Sequence, residues 1–162
     1  MGTAVLMEDY KFFQSKLSKK YMEGIDRSYE RISNSSEVFT LEEDVERELD
    51  KLDQIYFTDA SLTVCDPCCG DGNYLAISLL RRIKNGIDFE TALSTIYGVD
   101  LMADNVELCR ERLLCGREDL KHIVELNIVC ADALTYHYRF DGTDASVTNK
   151  DLHLRELGFE FS

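Results

Sequence analysis

Asp66-Pro67-Cys68-Cys69-Gly70-Asp71-Gly72-Asn73-Tyr74-Leu75 sets two glycines between an apolar run, Leu62 to Cys65, and a helical pattern. In that pattern Leu75, Ala76, Leu79, Leu80 and Ile83 share one face. The stretch reads as a strand, a glycine turn and a helix start, in which Gly70 and Gly72 supply φ freedom and let the backbone pass close to a ligand. A dinucleotide fingerprint would need a third glycine where Leu75 stands, to bring helix and strand together. A P-loop would need four residues between its glycines, then Lys and Ser or Thr. Neither pattern is present. A purely structural turn remains the alternative, and the downstream sequence weighs against it.

The helix after the turn finishes with Arg81, Arg82 and Lys84 near its negative end, and Asn85-Gly86 is a reasonable stop. A short helix from about Phe89 to Ser94, capped by Asp88, leads to a second strand, Ile96-Tyr97-Gly98-Val99-Asp100. In a nucleoside-binding α/β sheet, a carboxylate ending this strand can accept both ribose hydroxyls, because it offers two acceptor oxygens. The next helix carries Val106, Cys109 and Leu113 on one face, with Gly116 just beyond its end. A third strand, Asn127 to Cys130, runs into Ala131-Asp132-Ala133-Leu134. Asp66, Asp100 and Asp132 therefore arrive at the carboxyl ends of three strands, where open α/β sheets bind ligands. One such acid is an ordinary turn residue. Three at matching places are harder to dismiss.

Upstream, Phe13, Leu17, Tyr21, Ile25, Tyr29 and Ile32 recur at helical spacing from Tyr10, predicting one long amphipathic helix that Gly24 weakens. Its Lys and Arg residues read first as a solvated face and second as a phosphate contact. After Ser33-Asn34-Ser35-Ser36, the run Val38-Phe39-Thr40 enters a second helix. There Thr40 and Glu43 have capping-box spacing, and Val45, Leu49, Leu52 and Ile55 form the expected buried stripe. Tyr136, Tyr138 and Phe140 alternate, which suits a strand face or, second, a stacking wall.

Composition bounds the reading. A chain of 162 residues holds one core. Its 31 acidic against 18 basic residues give a formal charge of -13, which opposes non-specific attraction to nucleic acid. Six cysteines without a secretory h-region point to reduced thiols and a cytoplasmic protein. No apolar run approaches transmembrane length, and Leu6 stands where myristoylation wants Ser or Thr, so no membrane association is expected. Cys65, Cys68 and Cys69 form one cysteine cluster, whereas structural zinc normally shows two, so no metal is expected.

Residues 66–75 resemble the cofactor loop of S-adenosylmethionine-dependent methyltransferases. More narrowly they resemble the amino-methylating DNA enzymes, of adenine-N6 or cytosine-N4 type, whose first motif is often Asp-Pro-x-Cys-Gly-x-Gly. Gly98-Val99-Asp100, followed by Asn105-Val106 and Cys109 to Leu113, looks like their second motif, and Asp132 falls where the third places an acid near the adenine amino group. Phe39 and Thr40 resemble the entry beside the methionine end, with Leu41 in place of the usual proline.

The resemblance implies an α/β, Rossmann-like methyltransferase fold: an open, mainly parallel sheet with helices on both faces, apparently truncated and preceded by N-terminal helices. Residues 1–36 would be a helical arm and 37–162 the cofactor-binding domain. S-adenosylmethionine would be the cofactor, held by Phe39, Thr40, Asp66, Pro67, Cys69, Gly70, Gly72, Asn73, Asp100, Leu101, Asp132 and Ala133.

The resemblance covers residues 38–134 and fails at the catalytic motif. If residues 144–148 are the fourth strand, the Asn-Pro-Pro-Tyr motif falls on Asn149-Lys150-Asp151-Leu152, and Pro67 is the sole proline. Asn149 is then the one candidate to bind the target amine. Two functions follow as expectations. The first is methyl transfer to an exocyclic amine of DNA, reached through a partner or a further domain. The second is an inactive cofactor-binding or regulatory subunit, or an acidic protein occupying a partner's DNA channel. In either case a second copy or another chain is expected to cover the open sheet edge.

Overall fold

The computed structural model describes residues 2–18, 28, 29, 33 and 40–143. Its elements are α1 (Gly2–Leu17), α2 (Glu42–Leu49), α3 (Ile55–Thr58), β1 (Val64–Asp66), α4 (Asn73–Lys84), α5 (Phe89–Ser94), β2 (Ile96–Asp100), α6 (Ala103–Leu114), a 3-10 turn (Glu118–Leu120), α7 (Lys121–Asn127) and β3 (Ile128–Cys130).

The strands form one parallel sheet in the order β1-β2-β3. Val64 pairs with Ile96 and Asp66 with Gly98, while Gly98 pairs with Ile128 and Asp100 with Cys130. Both crossovers step the same way along the sheet, so right-handed connections put α4 and α6 on one face. Leu75, Leu79, Val106, Cys109, Leu113, Ile96 and Ile128 share the main core there. The sheet is open, parallel and flanked by helices, a Rossmann-like arrangement.

Side-chain alternation sends Tyr97, Val99 and Val129 to the other face. Val99, Ala131 and Tyr136 form a small core there, with Val129, Ala133 and Phe140 against it. The predicted strand at Tyr136 to Phe140 is absent, because Tyr138 and Phe140 take left-handed backbone, φ 55° and 52°. The rings of Tyr97, Tyr136, Tyr138 and Phe140 instead build a wall, with neighbouring centroids 4.8–6.0 Å apart.

The predicted N-terminal helix begins earlier, at Gly2, and closes at Leu17. Leu17 is buried and its carbonyl accepts the Arg112 Nε–H at 2.7 Å, while Phe13 stacks on Phe89 with ring centroids 4.4 Å apart. Most of the predicted continuation toward Ile32 lies outside the described residues.

The predicted capping box does not form. Leu41 is the N-cap of α2 and gives no side-chain cap, while Glu42, Glu43 and Asp44 fill the first turn, where the helix dipole favours acids. The stripe also stops early. Val45 and Leu49 are buried, but the chain turns after Asp50, leaving Leu52 and Ile55 exposed. Phe57 on α3 takes their place beside Val45, Leu49 and Ile77. Each such buried side chain stabilises by about 1.5–3 kcal/mol.

The last turn of α4 does more than oppose a dipole. Arg81 pairs with Glu46 and Asp50 of the α2 region. Arg82 is wholly buried, donating from Nη1 to Thr95 Oγ1 at 2.5 Å and from Nη2 to Leu62 O at 2.8 Å, which ties α4 to the starts of both leading strands. Helix α5 and its Asp88 cap form as predicted, with the Asp88 carboxylate accepting from the Thr91 amide at 3.0 Å. β3 begins at Ile128 because Asn127 closes α7, a helix the apolar spacing did not announce. The predicted fourth strand at 144–148 lies outside the described residues.

Candidate functional site

Everything in the site hangs from the ends of β1 and β2. Leaving β1, the Asp66 carboxylate turns back to accept the Cys68 amide at 3.0 Å, a local turn for which Asp is suited. The Cys69 amide then donates to Val99 O at 2.9 Å, which fastens the loop across β2. Gly70, at φ 54°, donates its amide to Asp100 Oδ2 at 2.9 Å. Gly72, at φ 90°, starts α4, and its amide donates to Cys69 O at 2.8 Å.

The close approaches made by Gly72 and Gly98 are to protein. A Cβ on Gly72 would lie 2.7 Å from Cys109 Sγ, and one on Gly98 would lie 2.7 Å from Leu75 Cδ1 and 3.0 Å from Cys69 Sγ. Gly98 is therefore what lets the loop and α4 sit down on β2.

Asp100 ends β2 and acts as a hub. Its Oδ1 accepts the Met102 amide at 2.9 Å and Asn105 Nδ2 at 3.2 Å, beside the Gly70 bond on Oδ2. Its carbonyl accepts the Ala131 amide at 3.0 Å, which brings the end of β3 alongside. Asp132 follows, with Oδ1 holding the Leu134 amide at 2.8 Å. The Tyr138 hydroxyl donates to Ala133 O at 2.9 Å, and burial and the neighbouring Cys65, Cys68 and Asp132 hold its proton more tightly than usual.

Two carboxylates near each other at a half-buried edge repel. Burial pushes the Asp66 carboxyl above its ordinary value and the nearby Asp100 charge adds to this, against the Cys68 amide bond. The same burial and acids raise the Cys68 thiol. Cys69 is raised as well, through its hydrogen bond with Cys109 and then burial, and it sits buried as a packed thiol. Among the described residues no three His, Cys, Asp or Glu side chains gather to hold a metal ion.

The structure thus brings Asp66, Cys69, Gly70, Gly72 and Asp100 into one bonded unit, with Asp132 and Ala133 beside it. Pro67 and Leu101 lie exposed at its rim. Thr40 joins through its carbonyl, which accepts Asn73 Nδ2 at 2.9 Å. Phe39 and Asn149 lie outside the described residues.

Sequence reasoning missed the support beneath the loop. Asn105, Cys109 and Arg112 stand at positions 0, 4 and 7 on α6 and form one face under it. Asn105 reaches Asp100, Cys109 lies beneath Gly72, and Arg112 Nη1 donates to Asn73 Oδ1 at 2.6 Å, with buried Asp71 Oδ2 4.0 Å away. That spacing was the available signal. It was obscured because two of the three side chains are polar.

The chain is similar in sequence to a known protein. Over 127 residues, 77% of its length, the chain is 32% identical to Type II methyltransferase M.VspI of Vibrio sp. (strain 343). The chain is related to a Type II methyltransferase. It spans about a quarter of that relative's length, since the match covers 26% of it. No family model matches the chain, and no solved structure matches it. Among the described residues no helix is long and apolar enough to cross a membrane.

Proposed function

We propose that this chain binds S-adenosylmethionine and supplies the cofactor half of a DNA amino-methyltransferase of adenine-N6 or cytosine-N4 type. The observation that carries the proposal is the hydrogen bond from Gly70 to Asp100, with Asp66 beside it. It couples a glycine turn to an acid at a strand end, as a nucleoside pocket requires.

The donor and charge chemistry fits that cofactor. Its ribose offers a hydroxyl donor to Asp100 Oδ2, since Oδ1 already accepts from Met102 and Asn105, and its methionine end carries positive charge into a place where Asp66 and Asp100 repel each other. Asp132 and Ala133 would border the adenine beside Leu101, and Thr40, Pro67, Cys69, Gly70, Gly72 and Asn73 would frame the methionine and ribose. Phe39 would join the methionine end. Bound there, the cofactor supplies an activated methyl on its sulfonium. The chain's own work is orientation: Asp100 would fix the sugar, and the Gly70 amide and Asn105 of α6 hold Asp100 in place. Asn149 is proposed to bind the target amine.

A partner chain or a further domain would present DNA, since a formal charge of -13 does not itself attract a polyanion. The same charge, with the absent proline pair, favours a second reading: a non-catalytic cofactor-binding or regulatory subunit, or an acidic occupant of a partner's DNA channel. A radiolabelled-methyl assay on DNA, with and without candidate partner subunits, separates the two. Label on base amines supports the first reading. Cofactor binding without label in any combination leaves the second. A cytoplasmic location is part of either proposal.

A further inference from the structure

Arg112 lies under the turn at the point where the N-terminal helix reaches it. Its side chain is buried, and burial holds its proton less tightly than in water despite the opposing pull of Asp71. A buried guanidinium is costly unless its donors are used. Here Nε–H donates to Leu17 O at 2.7 Å and Nη1–H to Asn73 Oδ1 at 2.6 Å.

Leu17 is the last residue of α1, so its carbonyl is one that the helix leaves without an internal partner. Asn73 is the first residue of α4, directly after Gly72. The other end of the Asn73 amide donates to Thr40 O at 2.9 Å. Ser18, next after α1, donates from Oγ to Glu42 Oε1 at 3.0 Å. One cation and one amide thus fasten two pieces of chain before β1 to the residue that closes the glycine turn.

We propose that Arg112 is a positioning residue that transmits the docking of α1 to the Asp71-Gly72-Asn73 turn and so sets how tightly the cofactor is held. The dependence on cofactor rests on the function proposed above. The dependence of the turn on α1 does not. With α1 seated, Arg112 is held from both sides and presents Nη1 to Asn73. With α1 displaced, the Leu17 acceptor is lost, the guanidinium must find water or another acceptor, and Asn73 loses its fixed donor.

The test is a double-mutant cycle on the full chain. Phe13→Ala removes the stack on Phe89 that seats α1, and Arg112→Met removes the link while filling similar space. Two readouts are followed: amide hydrogen exchange at Gly70, Gly72 and Asn73 with nothing added, and affinity for S-adenosylmethionine. Phe13→Ala alone is expected to speed exchange at the turn and weaken binding, each about tenfold, within the usual range of coupling between sites. In the Arg112→Met background Phe13→Ala should still speed exchange within α1 but leave the turn and the affinity unchanged.

Equal effects of Phe13→Ala in both backgrounds would overturn the proposal, because a merely structural arginine leaves the two changes additive. Should Arg112→Met fail to fold, Arg112→Lys takes its place, since an ammonium cannot span the two acceptors as a planar fork does. Coupled exchange with no cofactor binding by the unsubstituted chain keeps the positioning role and overturns the cofactor assignment. Binding without coupled exchange does the reverse.

Discussion

The Gly70 amide donates to Asp100 Oδ2 at 2.9 Å, joining residues thirty apart in sequence across the end of the sheet. The first glycine of the turn is therefore held by the acid that ends the second strand. Asp100→Ala would leave the Gly70 and Met102 amides and Asn105 Nδ2 without this acceptor. Each buried donor left without a partner costs about 1–3 kcal/mol. Partial access of water brings the expected loss to roughly 2–4 kcal/mol by urea denaturation. Asp100→Asn, which keeps one acceptor oxygen, should lose about half as much.

Asp66 should trade stability for binding. Its folded carboxyl lies above the ordinary value of 3.8, so its contribution favours folding at low pH and is lost as pH rises through the raised value. Asp66→Asn keeps an acceptor for the Cys68 amide and removes the charge. Thermal unfolding at pH 7 should show the variant more stable than the parent, with the gap closing below pH 3.8. Its affinity for a cationic cofactor should fall roughly 10–100-fold at neutral pH, as expected for loss of a charge-assisted contact. The parent's affinity should fall toward that of the variant on acidification.

Two glycine substitutions separate crowding from backbone strain. Gly98→Ala would drive a Cβ into Leu75 and Cys69, and overpacking of this kind costs about 1–3 kcal/mol. It should also loosen the loop, because Cys69 must shift. Gly86 has φ 90° and nothing within 4 Å of an added Cβ, so Gly86→Ala should cost only the left-handed penalty, about 1–2 kcal/mol, and leave cofactor affinity unchanged. Urea denaturation with calorimetric titration of both variants checks the contrast.

Arg82 should be replaceable by an apolar side chain of its own length. It is wholly buried, its Nε has no hydrogen-bond partner among the described residues, and burial holds its proton less tightly than usual. Arg82→Ala leaves a cavity and frees Leu62 O and Thr95 Oγ1 from its bonds, for a loss of about 3–5 kcal/mol. Arg82→Met fills the space without burying a charge and should lose far less. Denaturation midpoints of the two variants test the order.

Much of this fold was legible because periodicity and punctuation agree across residues 64–114. The bounds of β2 and the α5 helix with its Asp88 cap could be read directly, since a continuous apolar run and an acid cap leave little choice. The failures share a physical cause: a local pattern met a stronger tertiary contact. Thr40 has capping-box spacing, yet its carbonyl is drawn to Asn73 and Leu41 becomes the cap. Leu52 and Ile55 continue the apolar spacing, yet the chain turns and Phe57 fills the space. Tyr136 to Phe140 alternate like a strand but pack as a wall, because two of them are left-handed.

In the site, the acids and glycines were legible because strand ends and turns restrict residue type. Asp71 and Arg112 were not, since a charge in a turn or on a helix reads as solvated until its burial is known.

Calorimetric titration of the full chain with S-adenosylmethionine tests the central proposal most directly. Saturable binding at one site, weakened at least about tenfold by Asp100→Asn through loss of a charged acceptor, is the expected result. No saturable heat from the unsubstituted chain across the temperature range in which it is folded would contradict it.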